Sequence, residues 1–344
     1  MHKYGILMYP SYNRVYFESS KDLSISELKA ANPRLKNPAG EIGLRNIAGV
    51  DYITFITQEA LEQDDIEVLS RLSFVYALFE IQENGKTILF PVEKQAREYF
   101  EDDIVTILKY SGKTNETFTK MMINIGFLAG DYHQEKKISL LDPLSGRGTS
   151  LFQGLIYGWD VAGVEIDKKA VQQAVTFLTK YLQTKKIKHK LSQSKMSENG
   201  KKLCEIYDYE LARTKEEFKG GASLKVRMVQ GDTLDTPKFF KKESFHLIVA
   251  DLPYGIQHGS STPQGNLTRN PEELLSKAMP GWIKVLKPGG TVVLSWNTFV
   301  LKKQVIAEIM EKLGLKVLTD EPYAKGFVHR VDQAIMRDII IGKK

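Results

Sequence analysis

Residues 138–149 read Ile-Ser-Leu-Leu-Asp-Pro-Leu-Ser-Gly-Arg-Gly-Thr, the run of the chain that is most informative about its fold. Its first four residues carry no charge and are largely apolar, which predicts a buried strand. The loop that follows carries two glycines, which allow a tight turn and let a ligand approach the backbone closely. Apolar residues then recur at helical spacing from Leu151 to Ile156, and Gly158 marks the end of this helix. This order of strand, loop and helix is typical of the start of a nucleotide-binding α/β unit.

The second predicted strand supplies an acid for a ribose. It covers residues 161–167 and includes Glu165, which is placed to accept hydrogen bonds from the two ribose hydroxyls. The preceding loop has Gly146 and Gly148 but lacks the third glycine of the dinucleotide-binding pattern. This departure argues against a pyrophosphate and favours a ligand with one nucleoside and no phosphate. S-adenosylmethionine (SAM) fits that description.

Further strands and helices complete one large α/β unit. The predicted elements are strands at 225–232, 245–250, 291–296, 315–318 and 334–341, and a helix at 301–313. Strands that alternate with helices in this way predict a largely parallel sheet with helices on both faces. Ligands bind such sheets outside the carboxyl ends of the strands. The acids at the ends of four strands should therefore lie at one edge and form one site; they are Asp142, Glu165, Asp232 and Asp251.

The fourth strand runs directly into Asp-Leu-Pro-Tyr-Gly at residues 251–255. An acid, a proline and an aromatic residue at the carboxyl end of a strand suit a planar ring that carries an amine. The carboxylate and nearby backbone carbonyls can accept the amine hydrogens, while the tyrosine face stacks on the ring. The pentapeptide alone fits a turn equally well, because Asp, Pro and Gly are the commonest turn formers. Its position after the three cofactor-binding strand ends favours a clamp for a substrate amine.

Four segments together carry a family resemblance, namely 142–149, 163–167, 231–232 and 251–255. In order and spacing they resemble class I SAM-dependent methyltransferases of the amino-methylating kind. The chain is most similar to the THUMP-type tRNA guanosine-N2 methyltransferases and their adenine-N6 methylase relatives, over residues 115–344. The family pattern more often has proline where Leu252 stands. This substitution keeps the acid, the next proline and the aromatic ring.

The resemblance implies a fold and a domain organisation. The fold class is α/β, a Rossmann-like class I methyltransferase sheet that is mostly parallel with an antiparallel last strand. A smaller N-terminal α+β domain is expected at 1–110, and the methyltransferase domain at 111–344 with an insertion at 185–221. By its position the N-terminal domain resembles the RNA-binding front end of the THUMP-type enzymes. The alternative is a packing domain without a ligand.

The resemblance also implies the catalytic and cofactor-binding residues. No metal is expected, because a single cysteine makes a thiolate zinc site implausible. The catalytic residues would be Asp251, Leu252, Pro253 and Tyr254. The SAM-binding residues would be Asp142, Pro143, Ser145, Gly146, Gly148, Thr149, Glu165, Ile166, Asp167, Gly231, Asp232, Thr233 and Asp251. The candidate substrate-binding residues are Gly255 and, in the basic loop before the last strand, His329 and Arg330, which could contact a substrate phosphate. For His329 and Arg330 the alternative is an ordinary surface loop. The polar run at 259–268 is either a lid over the site or an unordered loop.

Two regions lie outside these motifs. Residues 1–110 predict a strand at 4–9, a helix capped by Ser24 or Ser26, and further short strands and helices. Residues 185–221 form an insertion that begins with a basic run from Lys185 to Lys190. The stretch from there to Phe218 is polar and predicted to be helical, and Gly220 and Gly221 close it. A charge run is usually a solvated face. The functional alternative is an arm that contacts phosphates.

Composition sets the remaining expectations. The net charge of +6 and the isoelectric point near 9.0 suit a phosphate-bearing partner. The single cysteine, Cys204, excludes an internal disulfide, and no apolar run approaches the length of a membrane span. We expect a cytoplasmic protein that binds RNA, specifically tRNA, in preference to DNA and contacts no membrane. The oligomeric state stays open.

The predicted function is SAM-dependent methylation of an exocyclic base amine in RNA, most specifically N2 of guanosine in tRNA. One alternative is an adenine-N6 methyltransferase that acts on DNA or rRNA. Another is a non-catalytic RNA-binding protein that retains the fold, although such a protein has no chemical need for the four acids at the strand ends.

Overall fold

The computed structural model describes the chain apart from residues 11–13, 96–97, 111 and 255–269, and apart from the side chains of 14–19. The chain folds into two compact units. One comprises Met1–Arg97 and Leu318–Ile339, and the other comprises Glu98–Val317 and Ile340–Lys344. This division differs from the predicted boundary at residue 110, and it gives the first unit a segment from near the end of the chain. Sequence pattern indicates only contiguous domains, because contacts between distant segments leave no local pattern.

The first unit is built on a five-stranded antiparallel sheet with the order β2-β3-β1-β4-β5. In chain order its elements are β1 (His2–Met8), α1 (Arg14–Ala31), β2 (Gly40–Ile47), β3 (Val50–Thr57), α2 (Gln63–Arg71), β4 (Val75–Glu83) and β5 (Thr87–Val92). This sheet confirms the predicted N-terminal α+β fold. The prediction that the first helix is capped by Ser24 or Ser26 is wrong, because both residues lie inside α1. Ser24 donates its hydroxyl to the carbonyl of Ser20 at 2.6 Å, a bond that accommodates serine within a helix.

The remaining elements follow in chain order. They are α3 (Asp103–Thr106), α4 (Glu116–Ala129), β6 (Ser139–Asp142), α5 (Thr149–Ile156), β7 (Asp160–Glu165), α6 (Lys168–Thr184), β8 (Lys188–Glu198), β9 (Lys201–Ala212), α7 (Lys215–Lys219), β10 (Leu224–Gln230), α8 (Thr236–Phe239), β11 (Phe245–Asp251), α9 (Pro271–Val285), β12 (Leu286–Asn297), α10 (Lys303–Lys312), β13 (Lys316–Val317), β14 (His329–Arg330) and β15 (Met336–Lys343). Most of them belong to the second unit.

The large sheet has the order β13-β15-β12-β11-β6-β7-β10-β9-β8. Neighbouring strands from β12 to β10 are parallel, whereas β15 runs antiparallel to β13. This topology confirms the predicted fold class, a mostly parallel Rossmann-like sheet with an antiparallel strand near the end of the chain. Because β6, β7, β10 and β11 are parallel, their carboxyl ends meet along one side of the sheet, called here the carboxyl edge.

The core of the second unit lies on both faces of these central strands. Residues 245–250 of β11 are all buried, and so are Trp282 of α9 and Trp296 of β12. Gly126 allows α4 to lie close against the sheet, since a Cβ at this position would stand 2.5 Å from Cγ2 of Val293. The close contact fixes α4 beside the strands that carry the site.

The insertion after α6 contains a β-hairpin, so the prediction of a helix from the basic run to Phe218 is wrong for most of that stretch. β8 and β9 pair antiparallel and extend the large sheet beyond β10, and only the short α7 is helical. The strands are joined at Asn199 and Gly200, whose φ angles of 50° and 76° suit a tight two-residue hairpin turn. This Asn-Gly pair is the sequence feature that could have indicated the hairpin.

Candidate active site

A cavity of about 420 Å³ lies at the carboxyl ends of β6, β7 and β11. Its walls come from segments that are far apart in sequence and that the parallel topology brings together. Ten of the predicted site residues line it: Asp142, Ser145, Gly146, Thr149, Glu165, Asp167, Asp251, Leu252, Pro253 and Tyr254. Among the lining residues outside the predicted set are Tyr110, Thr114 and Arg147. The cavity therefore contains both the expected cofactor loop and the expected amine clamp.

The glycine-bearing loop between β6 and α5 is fixed against β7. Gly163 has no side chain to obstruct this contact, since a Cβ there would lie 2.6 Å from Oγ of Ser145. The backbone N–H of Ser145 donates to the carbonyl of Val164 at 3.0 Å. Gly148 starts α5 with φ at 87°, a conformation that favours glycine. The loop thus presents its backbone to the cavity in one defined conformation.

Asp142 is a buried carboxyl group at the end of β6. It accepts hydrogen bonds from the N–H of Leu144 at 2.9 Å and from the hydroxyl of Ser150. Burial raises the pKa of Asp142 to about 7, and the nearby charges of Glu165 and Asp251 act in the same direction. The hydrogen bonds offset only part of the desolvation, so the fold holds this acid in a costly environment.

Glu165 ends β7 and is held by backbone amides. One carboxylate oxygen accepts from the N–H of Gly146 at 2.9 Å, and the other accepts from the N–H of Asp167 at 2.7 Å. Burial nevertheless raises the pKa of this carboxyl group. Each oxygen retains a second lone pair for a ligand hydroxyl. The geometry suits the predicted contact with a ribose.

Asp251 is surrounded by hydroxyl donors. Thr114 donates to Oδ2 at 2.6 Å, Ser295 donates to Oδ1, and the Tyr254 hydroxyl lies 2.7 Å from both oxygens. Ser295 is the register partner of Asp251 on β12, and Thr114 comes from the segment before α4. The carboxylate is therefore oriented from three sides. Leu252 has a buried side chain in the core, so its backbone is the part available to a substrate.

Arg147 supplies a positive charge to the cavity. Among the described residues that line it, Arg147 is the only basic side chain, against four carboxyl groups. Its guanidinium carbon lies 4.2 Å from the ring centroid of Tyr110, a cation–π contact. The Tyr110 hydroxyl lies 3.2 Å from Oγ1 of Thr149, and burial raises the pKa of Tyr110. Tyr110 thus anchors the guanidinium over the cofactor loop.

Several predicted residues are not among those that line this cavity. The cofactor residues concerned are Pro143, Gly148, Ile166, Gly231, Asp232 and Thr233. Asp232 accepts from the N–H of Leu234 at 2.9 Å, and Thr233 accepts from the indole N–H of Trp282 at 2.9 Å, so both carry local structural bonds. His329 and Arg330 form β14 in the first unit, whereas the lining residues belong to the second. Gly255 and the 259–268 run lie outside the described residues.

Two classes of feature are absent from the described part of the chain. It contains no group of three or more His, Cys, Asp or Glu side chains that could hold a metal ion. None of its helices combines the length and the apolar character needed to cross a membrane.

The chain is similar to several solved structures at low sequence identity. No protein-family model and no curated protein matches the chain. Among solved structures, the chain is similar to TrmN from Thermus thermophilus, with 12% identity over 100% of both chains and a TM-score of 0.45. It is also similar to an rRNA methylase from Streptococcus thermophilus, with 9% identity over 60% of this chain and 87% of that one and a TM-score of 0.33. A TehB-like SAM-dependent methyltransferase from Corynebacterium glutamicum gives 14% identity over 60% and 80%, with a TM-score of 0.34. Similarities at this level give no information about the substrate, which must be argued from the site.

Proposed function

We propose that the protein is a SAM-dependent methyltransferase that acts on an exocyclic base amine of RNA, most specifically N2 of guanosine in tRNA. One observation carries this proposal. A single cavity at the carboxyl edge is lined both by the acids and glycine loop suited to a nucleoside cofactor and by the Asp251–Tyr254 segment suited to an amine. A protein that only bound RNA would have no need of a buried acid such as Asp142 beside that segment.

The cavity fits SAM in size and in the distribution of its charges. Its volume of about 420 Å³ is within the range of small-molecule sites. Glu165 would accept the ribose hydroxyls, and Arg147 would bind the carboxylate of the methionine part. Asp142 and the loop at 143–148 would face the same ligand. When bound, SAM supplies an electrophilic methyl group on a sulfonium sulfur.

The Asp251–Tyr254 segment suits the chemistry of the acceptor amine. An exocyclic amine of a purine is a poor nucleophile, because its lone pair is conjugated into the ring. In the transfer, a bond forms between the amine nitrogen and the methyl carbon as the bond from that carbon to sulfur breaks, so S-adenosylhomocysteine leaves and the nitrogen becomes positive. The Asp251 carboxylate together with a backbone carbonyl at 252–253 stabilises that charge as it develops, and the nitrogen then loses its extra proton to Asp251 or to water. Well-oriented reactions have about 7–11 kcal/mol available from positioning alone. The hydrogen bonds of Asp251 to Thr114 and Ser295 contribute to this positioning by fixing the carboxylate.

The stacking energy that Tyr254 can provide is comparable to the free energy needed to flip a base out of its helix. Stacking of an aromatic side chain on a base contributes about 1–3 kcal/mol. Flipping a base out of its stack costs about a few kcal/mol. Contacts at 251–254 can therefore offset much of that cost. The same geometry accommodates N6 of adenine in RNA or DNA, which is the alternative assignment of the target base.

The proposal is tested by cofactor binding and methyl transfer in matched variants. SAM should bind the wild-type protein, measured by calorimetry, and Asp142→Ala should abolish this binding. Asp251→Asn should bind SAM but lose methyl transfer to bulk RNA by about 10²-fold or more, as expected for loss of a charge-stabilising group. Full activity in Asp251→Asn would contradict its role, and absence of SAM binding to the wild type would contradict the enzyme assignment.

The target base is identified by mass spectrometry of nucleosides. RNA and DNA from cells that lack the protein are digested and compared with the parent strain. Loss of N2-methylguanosine from tRNA is the expected result. Loss of N6-methyladenosine instead would establish the adenine alternative and contradict the guanosine assignment.

A further inference from the structure

The net positive charge of the protein comes from one segment. Residues 185–227 contain twelve Lys and Arg and six Asp and Glu, a net of +6, which equals the net charge of the whole chain. The other residues are therefore balanced in charge. The segment forms the β8–β9 hairpin, α7 and the first part of β10. A localised excess of this kind indicates a surface for a polyanion, provided that its charges face a usable position.

The tip of the hairpin extends past the carboxyl edge. Gln230, the last residue of β10, pairs with Glu205 of β9, so residues 201–204 of β9 continue beyond the end of β10. The matching part of β8 runs with them to the turn at Asn199 and Gly200. The hairpin therefore has a distal part on the side of the sheet where the cavity opens and a proximal part on the opposite side.

The sheet register connects the distal part directly to the candidate site. One row of paired residues contains, from β7 outward, Glu165, Gln230, Glu205 and Lys195. Residues in one row point to the same face, and neighbouring strands are about 4.8 Å apart, which places the backbone of Lys195 about 14 Å from that of Glu165. α6 covers this face further down, where the Tyr209 hydroxyl donates to the carbonyl of Val175 at 3.0 Å.

The acids near the tip are already engaged by lysines. Lys202 pairs with Glu205 at 2.6 Å, and Lys238 pairs with Glu198 at 2.7 Å. The hydrogen bond from Lys202 lowers the pKa of Glu205, and the charge of Lys168 at the start of α6 adds to this effect, so Lys168 belongs to the same surface. Three exposed lysines near the tip form no ion pair within the described part of the chain. Lys168 and Lys195 lie on this face, whereas Lys201 lies next to the turn in the row of Glu198, which by strand alternation points to the other face. These three lysines flank the tip and are called here the edge lysines.

We propose that the edge lysines bind backbone phosphates of the RNA next to the nucleotide that enters the cavity. This proposal rests on the proposed function, because it requires an RNA substrate. A distance of about 14 Å corresponds to a few nucleotides, because duplex phosphates on one strand rise by about 3.4 Å per step.

The basic run at 185–190 is not part of this surface. Lys185 is paired with Glu101 and Asp103, and Lys188 starts β8 at the opposite side of the sheet.

The test compares two double variants of the full chain that remove the same charge from the same strand pair. Lys195→Gln/Lys201→Gln removes two edge lysines, and Lys188→Gln/Lys190→Gln removes two exposed lysines from the proximal part. The probe is a fluorescently labelled tRNA transcript, and its affinity is measured by anisotropy from about 50 to 200 mM salt. Each lost phosphate contact should make the slope of log K against log salt less negative by about 0.7–0.9.

We expect a slope change of about 1–2 for Lys195→Gln/Lys201→Gln and a much smaller change for the proximal variant. Equal changes in both variants would contradict the proposal, because they would reflect overall charge. An unchanged slope combined with aggregation of the distal variant would also contradict it and would indicate that the lysines protect an exposed edge strand. If the wild type methylates RNA but the distal variant keeps its slope, only the surface fails. If the wild type binds no RNA and transfers no methyl group, both proposals fail.

Discussion

Asp142 makes the stability of the second unit depend on pH, and replacing it with asparagine should remove that dependence. Asparagine keeps an oxygen that can accept the N–H of Leu144, but it cannot ionise. In the wild type, burial raises the pKa of Asp142 from 3.8 to about 7. Between these values the unfolded chain has lost the proton and the folded protein has kept it. Stability must therefore fall as pH rises through this window.

The size of the effect follows from the two pKa values. Each pKa unit corresponds to about 1.4 kcal/mol, so the full loss between pH 3.8 and 7 is about 4 kcal/mol. Between about pH 5 and pH 8 the wild type should lose about 2–3 kcal/mol of unfolding free energy through this group. Asp142→Asn lacks that loss. Its stability relative to the wild type should thus be about 2–3 kcal/mol more favourable at pH 8 than at pH 5.

Tryptophan fluorescence measures this quantity for the right unit. The protein has three tryptophans, and all of them, Trp159, Trp282 and Trp296, are buried in the second unit. Urea titrations at the two pH values give the free energy of unfolding for wild type and Asp142→Asn. Glu308→Gln, which neutralises an exposed acid on α10, is the control and should show no such change. A difference between Asp142→Asn and wild type that stays constant within about 0.5 kcal/mol would refute the reasoning.

Two further predictions concern cofactor and substrate. Arg147→Gln should weaken SAM binding by about 10- to 150-fold, the equivalent of a charge-assisted hydrogen bond of about 1.5–3 kcal/mol. It should leave 5′-methylthioadenosine, which has no carboxylate, unaffected in calorimetry; equal losses for both ligands would contradict the assignment. Tyr254→Ala should lower kcat/KM for RNA by about 5- to 150-fold through lost stacking. Tyr254→Phe should retain most activity, and parity of the two variants would refute a stacking role.

The parts of the site that follow from sequence are those fixed by local chemistry at strand ends. Asp142, Glu165 and Asp251 each end or adjoin an apolar run, and parallel topology then forces them to one edge. The prediction needed no knowledge of side-chain contacts. The same reasoning points to Asp232 and Thr233, which cap and brace a short 3-10 helix beside β10. Their role as cofactor-binding residues stays a prediction. A strand end indicates proximity to the edge but does not determine which residue faces the ligand.

The parts that sequence could not supply depend on pairing between distant segments. Thr114 reaches Asp251 across 137 positions, and Tyr110 contacts a loop that starts more than thirty residues later. Thr and Tyr are common in loops, so nothing local distinguishes these two. Ser295 could have been inferred only from the register of β11 against β12. The hairpin at 188–212 was not predicted for another reason. Its many charged residues suggested a solvated helix, so the Asn-Gly turn was not used as evidence for two strands.

The hydrogen bonds around Asp251 give Tyr254 two possible positions, one on the Asp251 carboxylate and one stacked on the substrate base. Thr114 donates to Oδ2 and Ser295 donates to Oδ1, whereas the Tyr254 hydroxyl lies within hydrogen-bond distance of both oxygens. Departure of that single hydroxyl would free acceptor capacity on both oxygens while the other two donors kept the carboxylate in place. An incoming amine with two hydrogens needs acceptors of this kind, and the released ring is then free to stack on the base. Because both consequences follow from one displacement, acceptance of the amine and capture of the base would be coupled.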